Sequence, residues 1–271
     1  MPKLDLAAAS WTDVRDHVAA GNTLAFLPFG ALEQHGPHLP LSTDTIQCVG
    51  VAEALAEHYS GLLLPAVPYG ETWDNGRFPG TISLSASTVS AICRDIGASA
   101  QSFGVTTLVI VNGDFGNRAP VHAAAREMSI GGFDVFVLDY PGLVEVGDAV
   151  KESPWAAPGL CHADELETSM VLALEPALVH PDRYEASYPE LPADFGRRPI
   201  RFDTLSPSGV FGDPRPATAA KGETIIAFVV ERSVGEIDAH LDAIGATDAS
   251  PIGSGDDIAA TAPAAYQQGA S

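Results

Sequence analysis

Residues 106–113, TTLVIVNG, constrain the fold more than any other stretch of the chain. The segment is continuous, rich in β-branched residues and uncharged. A strand with no polar face is buried on both sides, and such strands belong to parallel sheets covered by helices. Residues 23–29, TLAFLPF, read as a second buried strand, 62–67 as a third closed by proline, and 133–140, FDVFVLDY, as a fourth. Between and after them, apolar residues recur at helical spacing over 43–59, 87–103, 117–130, 162–176 and 218–244. Strands alternating with helices predict an α/β fold with a mostly parallel sheet and helices on both faces. Ligands of such sheets sit at the carboxyl ends of the strands.

Charge narrows the function. The 271 residues carry 14 Lys+Arg against 35 Asp+Glu, a formal net charge of −21. That balance excludes a cationic footprint for nucleic acid and argues against anionic membrane surfaces. It suits a soluble enzyme that draws divalent cations toward acidic clefts. The three cysteines, Cys48, Cys93 and Cys161, have neither the number nor the spacing of a disulfide scaffold or a thiolate zinc site. The first residues lack the apolar core of a secretory signal, so the cytoplasm is the expected location. We expect one domain over 1–248, with an irregular excursion at 183–216, and a flexible Ala/Gly/Ser/Pro-rich tail over 249–271.

Where strand 23–29 ends, EQHGPHLPLSTD gathers Glu33, Gln34, His35, His38 and Asp44. Glu33 and His35 are two apart and face one side of an extended segment. Asp44 opens a helix, where it serves either as an N-cap or as a metal ligand able to bridge two ions. The strand 106–113 runs into NGDFGN, whose glycines bring backbone close to whatever binds and whose Asp114 either ligates a metal or satisfies the turn's own N–H groups. Asn117 is the expected cap of the helix that follows and a candidate substrate contact. In CHADELETSM, His162, Asp164, Glu165 and Glu167 sit at a helix start, where acidic residues also cap ordinary helices. Trp73 and Phe78, in the loop YGETWDNGRFPGT, are candidate stacking surfaces for a substrate or else packing residues.

LPFGALEQHGPHLPLSTD, NGDFGN, HADELETS and SPSGVFGDPRPATAAKGE occur in the order and spacing of the creatininase family, and the chain resembles that family over about residues 20–235. The resemblance implies a three-layer α/β/α sandwich and a homo-oligomer, a hexamer in many members. It implies one or two divalent metals per subunit (Zn, Mn or Fe) that activate water against a C–N bond of a small molecule. It assigns Glu33, His35, Asp44 and Glu167 as metal ligands, with Asp44 bridging, and His162 as the group that moves a proton; Glu167 counts as catalytic as well. The chain departs from the pattern at Asp114, where the family has a metal-binding histidine, and at Asp164, where glycine is usual and the extra carboxylate is expected near the site entrance. With Asp114 as a ligand the donor set is rich in carboxylates, which favours Mn, Mg or Fe over Zn. Hydrolysis of a cyclic amide or formamide is the leading expectation. The alternatives are a peptidase like the one that trims the mycofactocin precursor, a ring-closing enzyme, or a homologue that binds without catalysis.

Overall fold

The computed structural model describes residues 2–248. Five strands form one parallel sheet: β1 (Leu4–Asp5), β2 (Leu24–Phe29), β3 (Leu62–Leu63), β4 (Thr107–Asn112) and β5 (Asp134–Leu138), in the order β1-β3-β2-β4-β5. Seven helices accompany them: α1 (Trp11–Ala19), α2 (Thr43–Tyr59), α3 (Ala86–Ser102), α4 (Arg118–Ile130), α5 (Leu143–Val150), α6 (Glu165–Leu174) and α7 (Ala219–Asp248). The expected α/β architecture is present, and β4 is buried along its whole length. Residues through Ile237 form one compact unit, and a second begins at Asp238 within α7. The tail expected from 249 lies outside the described residues. Among the described residues, no helix is long and apolar enough to cross a membrane.

Strand alternation divides the core. Ala25, Leu27 and Phe29 of β2, with Leu108 and Ile110 of β4, point to the face covered by Val89 and Cys93 of α3 and Val121 and Ala124 of α4. Phe26 points the other way and stacks on Tyr59 of α2, with ring centroids 5.9 Å apart. Helices therefore cover both faces. The chain leaves β2 toward β3 on one side and returns to β4 on the other, so β2 and β4 flank the topological switch point, where a crevice opens outside the strand ends.

Several boundaries differ from the sequence expectation. The third strand shrinks to Leu62–Leu63 because Pro65 has no N–H to give the ladder; pairing returns only as a bridge between Phe29 and Val67. The N-cap position of α2 belongs to Ser42, not to Thr43 or Asp44, and Ser42 makes no side-chain cap bond. Asn117 precedes α4 but gives it no side-chain cap bond either. The short β1, α1 and α5, of two, nine and eight residues, have no counterpart among the elements expected from the sequence. Residues 183–216 are irregular apart from short 3₁₀ turns, as expected.

The glycines after β4 pack the chain against itself, and both also line the cavity at the strand ends. A Cβ on Gly113 would stand 2.5 Å from the Asp44 carbonyl and 3.0 Å from Cys48 Cβ, both on α2. A Cβ on Gly116 would stand 2.0 Å from the Glu71 carbonyl. Gly113 thus lets the first turn of α2 rest on the end of β4. Gly113→Ala is expected to cost about 1–3 kcal/mol by overpacking and to weaken cation binding by displacing Asp44. Thermal unfolding and cation titration check this; a variant matching wild type in both would refute it.

Candidate metal centre

Four chain-distant segments meet at the carboxyl edge of the sheet. The loop after β2 brings Glu33 and His35, the first turn of α2 brings Asp44, the turn after β4 brings Asp114, and the start of α6 brings Glu167. Two groups form, each with ligand atoms within 4.8 Å of one another: Glu33, Asp44 and Asp114, and His35, Asp44 and Glu167. Asp44 belongs to both. A third group joins Glu33 and His35 to His162.

The unsatisfied atoms fit a cation. His35 Nδ1 lies 3.2 Å from the Glu33 carbonyl, so that nitrogen donates and Nε2 is the one that faces the carboxylates. Nε2 stands 3.1 Å from Asp44 Oδ1 and 3.7 Å from Glu167 Oε2, outside hydrogen-bonding geometry. His35 Nε2, Asp44 Oδ2 and Asp114 Oδ2 are all buried without a hydrogen-bond partner among the described residues. Buried polar atoms without partners are rare in folded proteins. Here they are borne by metal-ligating residue types at metal-ligating separations.

The same geometry separates ordinary capping from ligation. Asp44 caps nothing. Asp114 does both: Oδ1 accepts from Gly116 N at 2.9 Å, while Oδ2 is the orphan. In the acidic turn of α6, Asp164 is the N-cap, accepting from Leu166 N at 2.8 Å. Asp164 is also paired with Lys151 and buried, so it does not stand at the site entrance as expected. Glu165 turns away to Lys221 Nζ at 2.6 Å and to the backbone of Glu152 and Ser153. Only Glu167 is left to the centre; it also accepts from Ala163 N. Ala163 holds a left-handed backbone, φ 54°, which costs a non-glycine residue about 1–3 kcal/mol.

Electrostatics follow from crowding. Burial pushes the Glu33 and Asp114 carboxyls well above the ordinary range, and the charge of Asp44 pushes both further. Burial likewise raises Glu167 to about 8, with Asp44 adding and His35 opposing. Burial alone would lower His35, but the carboxylates of Asp44 and Glu167 prevail and bring it to about 9. Without a cation the cluster relieves its charge by holding protons.

Other residues position the ligands. Asn75 Nδ2 donates to Glu33 Oε2 at 2.9 Å, and Gln34 Nε2 donates to Asn75 Oδ1 at 2.7 Å. His162 Nε2 lies 2.9 Å from the Gln34 carbonyl, and its Nδ1 lies 3.8 Å from Glu33 Oε1. Burial, then the charge of His35, holds its imidazole well below the usual range, so His162 is neutral. His38 is buried, 3.0 Å from Thr168 Oγ1 and edge-on to Tyr184, which fits a structural role.

The expected substrate contacts sit elsewhere. Asn117 is fully buried; its side chain accepts from Glu71 N at 2.8 Å and donates to the Gly30 carbonyl at 3.0 Å, tying three loops together away from the cavity. Trp73 is exposed in an outer groove with the Arg201 guanidinium 3.9 Å over its ring, and Phe78 lines neither that groove nor the cavity. The cavity over the ligands is instead walled by Asp74, Phe115, Tyr140, Leu143, Met170 and Phe202. None of these carries a local sequence signal, because their nearness arises from tertiary structure.

Known proteins resemble this chain in sequence and in fold. A family model described as Creatininase: Creatinine amidohydrolase matches residues 7–237. The mycofactocin precursor peptide peptidase of Mycobacterium ulcerans (strain Agy99) is 34% identical over 224 residues, 78% of this chain and 83% of its own. The creatinine amidohydrolase of Pseudomonas putida is 30% identical over 244 residues, 82% of this chain and 91% of its own. A solved structure described as Creatininase Mn superposes with a TM-score of 0.78 at 28% identity, covering 88% of this chain and 98% of that one. The chain belongs to the creatininase family, a family of hydrolases.

Proposed function

We propose that the chain is a metal-dependent hydrolase that cleaves an amide-type C–N bond of a small molecule with water. The observation that carries this reading is the pair of buried ligand groups sharing Asp44, with three orphaned donor atoms. Glu33, Asp44 and Asp114 would hold one divalent cation, and His35, Asp44 and Glu167 a second. Such cations supply Lewis acidity toward a carbonyl oxygen and make water acidic near neutrality. Four carboxylates and one imidazole suit Mn, Mg or Fe better than Zn; structural relatives are described with Mn and with Zn.

The chain's own groups account for the protons. Hydrolysis adds the water oxygen to the acyl carbon, breaks the C–N bond and delivers one proton to the departing nitrogen. In the tautomer whose Nε2–H donates to the Gln34 carbonyl, a neutral His162 has an unprotonated Nδ1, 3.8 Å from Glu33 Oε1. That nitrogen takes a proton from water and returns it to the leaving amine. Gln34 and Asn75 keep Glu33 and His162 in register, and Phe115, Leu143, Met170 and Phe202 limit water around the bond.

A peptide substrate is the second reading. The open groove lined by Trp73, Phe195, Ile200 and Phe202 adjoins the cavity, sharing Asp74 and Phe202 with it, and has room for a longer chain. Identity to the mycofactocin peptidase supports the same reading.

Protein purified without chelator is expected to carry close to two divalent cations per chain by elemental analysis. Chelation should lower the melting temperature by several degrees and manganese should restore it, since a ligand bound only by the native state stabilises that state. A stable, metal-free protein indifferent to manganese would sink the reading. Asp114→His is expected to retain both cations and to move the preference toward zinc; a variant with unchanged preference would show that Asp114 is not a ligand.

A further inference from the structure

Tyr140 lines the cavity that holds Glu33, Asp44, Asp114, His162 and Glu167. The residue is 5% exposed, and its hydroxyl has no hydrogen-bond partner among the described residues. Buried tyrosine hydroxyls ordinarily find a partner. Phenylalanine would supply the same ring to this wall without stranding a polar group, so packing does not explain the residue.

The backbone carries a second anomaly. Tyr140 has φ 51°, a left-handed conformation that side chains other than those of glycine, asparagine and aspartate rarely adopt. It follows the carboxyl end of β5 by two residues and opens a turn in which Leu143 N donates to its carbonyl at 3.1 Å. An extended residue there would continue the strand direction. Strain of this kind persists where the surrounding structure fixes a side chain for use.

We infer that the Tyr140 hydroxyl is a catalytic hydrogen-bond donor, delivered to the cavity by the left-handed turn after β5 to contact the substrate's carbonyl oxygen as it gains negative charge. A phenol keeps its proton at neutral pH, so it donates where the surrounding carboxylates can only accept. The chain then meets the reacting bond from two sides of its chemistry: His162 moves the proton and Tyr140 holds the oxygen. The inference rests on the hydrolase reading above.

The test uses full-length, manganese-loaded protein and three probe substrates: creatinine, N-formylglycine and dialanine. With whichever probe the wild type turns over, Tyr140→Phe is expected to lower kcat about 100-fold with KM nearly unchanged, the pattern of a donor used in the transition state. Its manganese content and melting temperature should match wild type, and Tyr184→Phe should behave as wild type throughout. Equal kcat in Tyr140→Phe and wild type would overturn the inference and leave the hydrolase reading standing. Loss of manganese in proportion to activity would also overturn it, since the phenol would then be arranging ligands. Wild type that holds manganese and turns over none of the probes removes the hydrolase reading, and the inference falls with it.

Discussion

Four carboxylates, those of Glu33, Asp44, Asp114 and Glu167, share one buried space with the imidazole of His35. Taking a single ion out of water costs several kcal/mol even after the protein relaxes, and like charges at these separations add to that cost. Among the described residues no lysine or arginine enters the cluster: Lys151 is committed to Asp164, and Lys221 to Glu152 and Glu165. Protons can relieve the charge, as the raised carboxyls and the raised His35 indicate, yet the buried Asp44 Oδ2 still has no partner among the described residues. Divalent cations answer both demands together. On the proposed function, a bound metal would be coupled to the stability of the fold as well as to its chemistry.

The fold makes this crowding possible because a parallel sheet ends every strand on the same edge. β2 and β4 are neighbours in the sheet and lie on either side of the switch point, so the loops leaving them diverge and open a crevice. α2 then returns across one face with its first turn against Gly113, which sets Asp44 between the ligands contributed by the two strands. α6 completes the set from about 120 residues downstream. Its orientation depends on Asp164 as cap and on the Lys151 and Lys221 ion pairs that tie its start to the chain around 151–153. A charge network well outside the cavity thus decides where Glu167 points.

The candidate ligands after the strands were legible because they follow a strong local signal, whereas Asp44 and Glu167 also read as ordinary helix-start residues. Glu33 and His35 stand after a buried strand with the spacing of two that puts them on one side, and Asp114 follows the most strongly patterned strand in the chain. The substrate wall was not legible. Tyr140 reads as the last residue of a strand, and Asn75 stands in a loop whose aromatics draw the attention; their placement at the cavity exists only once β5 and the loop after β3 are set beside β4 and β2. Asn117 shows the opposite error. A polar residue beside glycines in a strand-to-helix turn looks like a ligand contact, but both ends of its amide are used to bind loops together. Proline explains the shortened β3, since one missing N–H outweighs a run of favourable β residues.

Asp114 bears on the charge of the loaded centre. With two divalent cations, four carboxylates bring the centre to neutrality; a histidine in that position would leave one positive charge in excess. That excess would favour anionic ligands and strengthen the pull on a developing oxyanion. A neutral centre gives up part of that pull, so stabilising the oxyanion falls more heavily on hydrogen-bond donors that the protein itself supplies. The cavity wall holds few candidates. Glu33, Asp44, Asp74, Asp114 and Glu167 are acceptors when ionised, and His162 is engaged with Gln34. On the proposed function, the aspartate that would neutralise the metals and the strained tyrosine with an unspent hydroxyl are two sides of one arrangement, in which positive charge removed from the centre is answered by a donor placed at its wall.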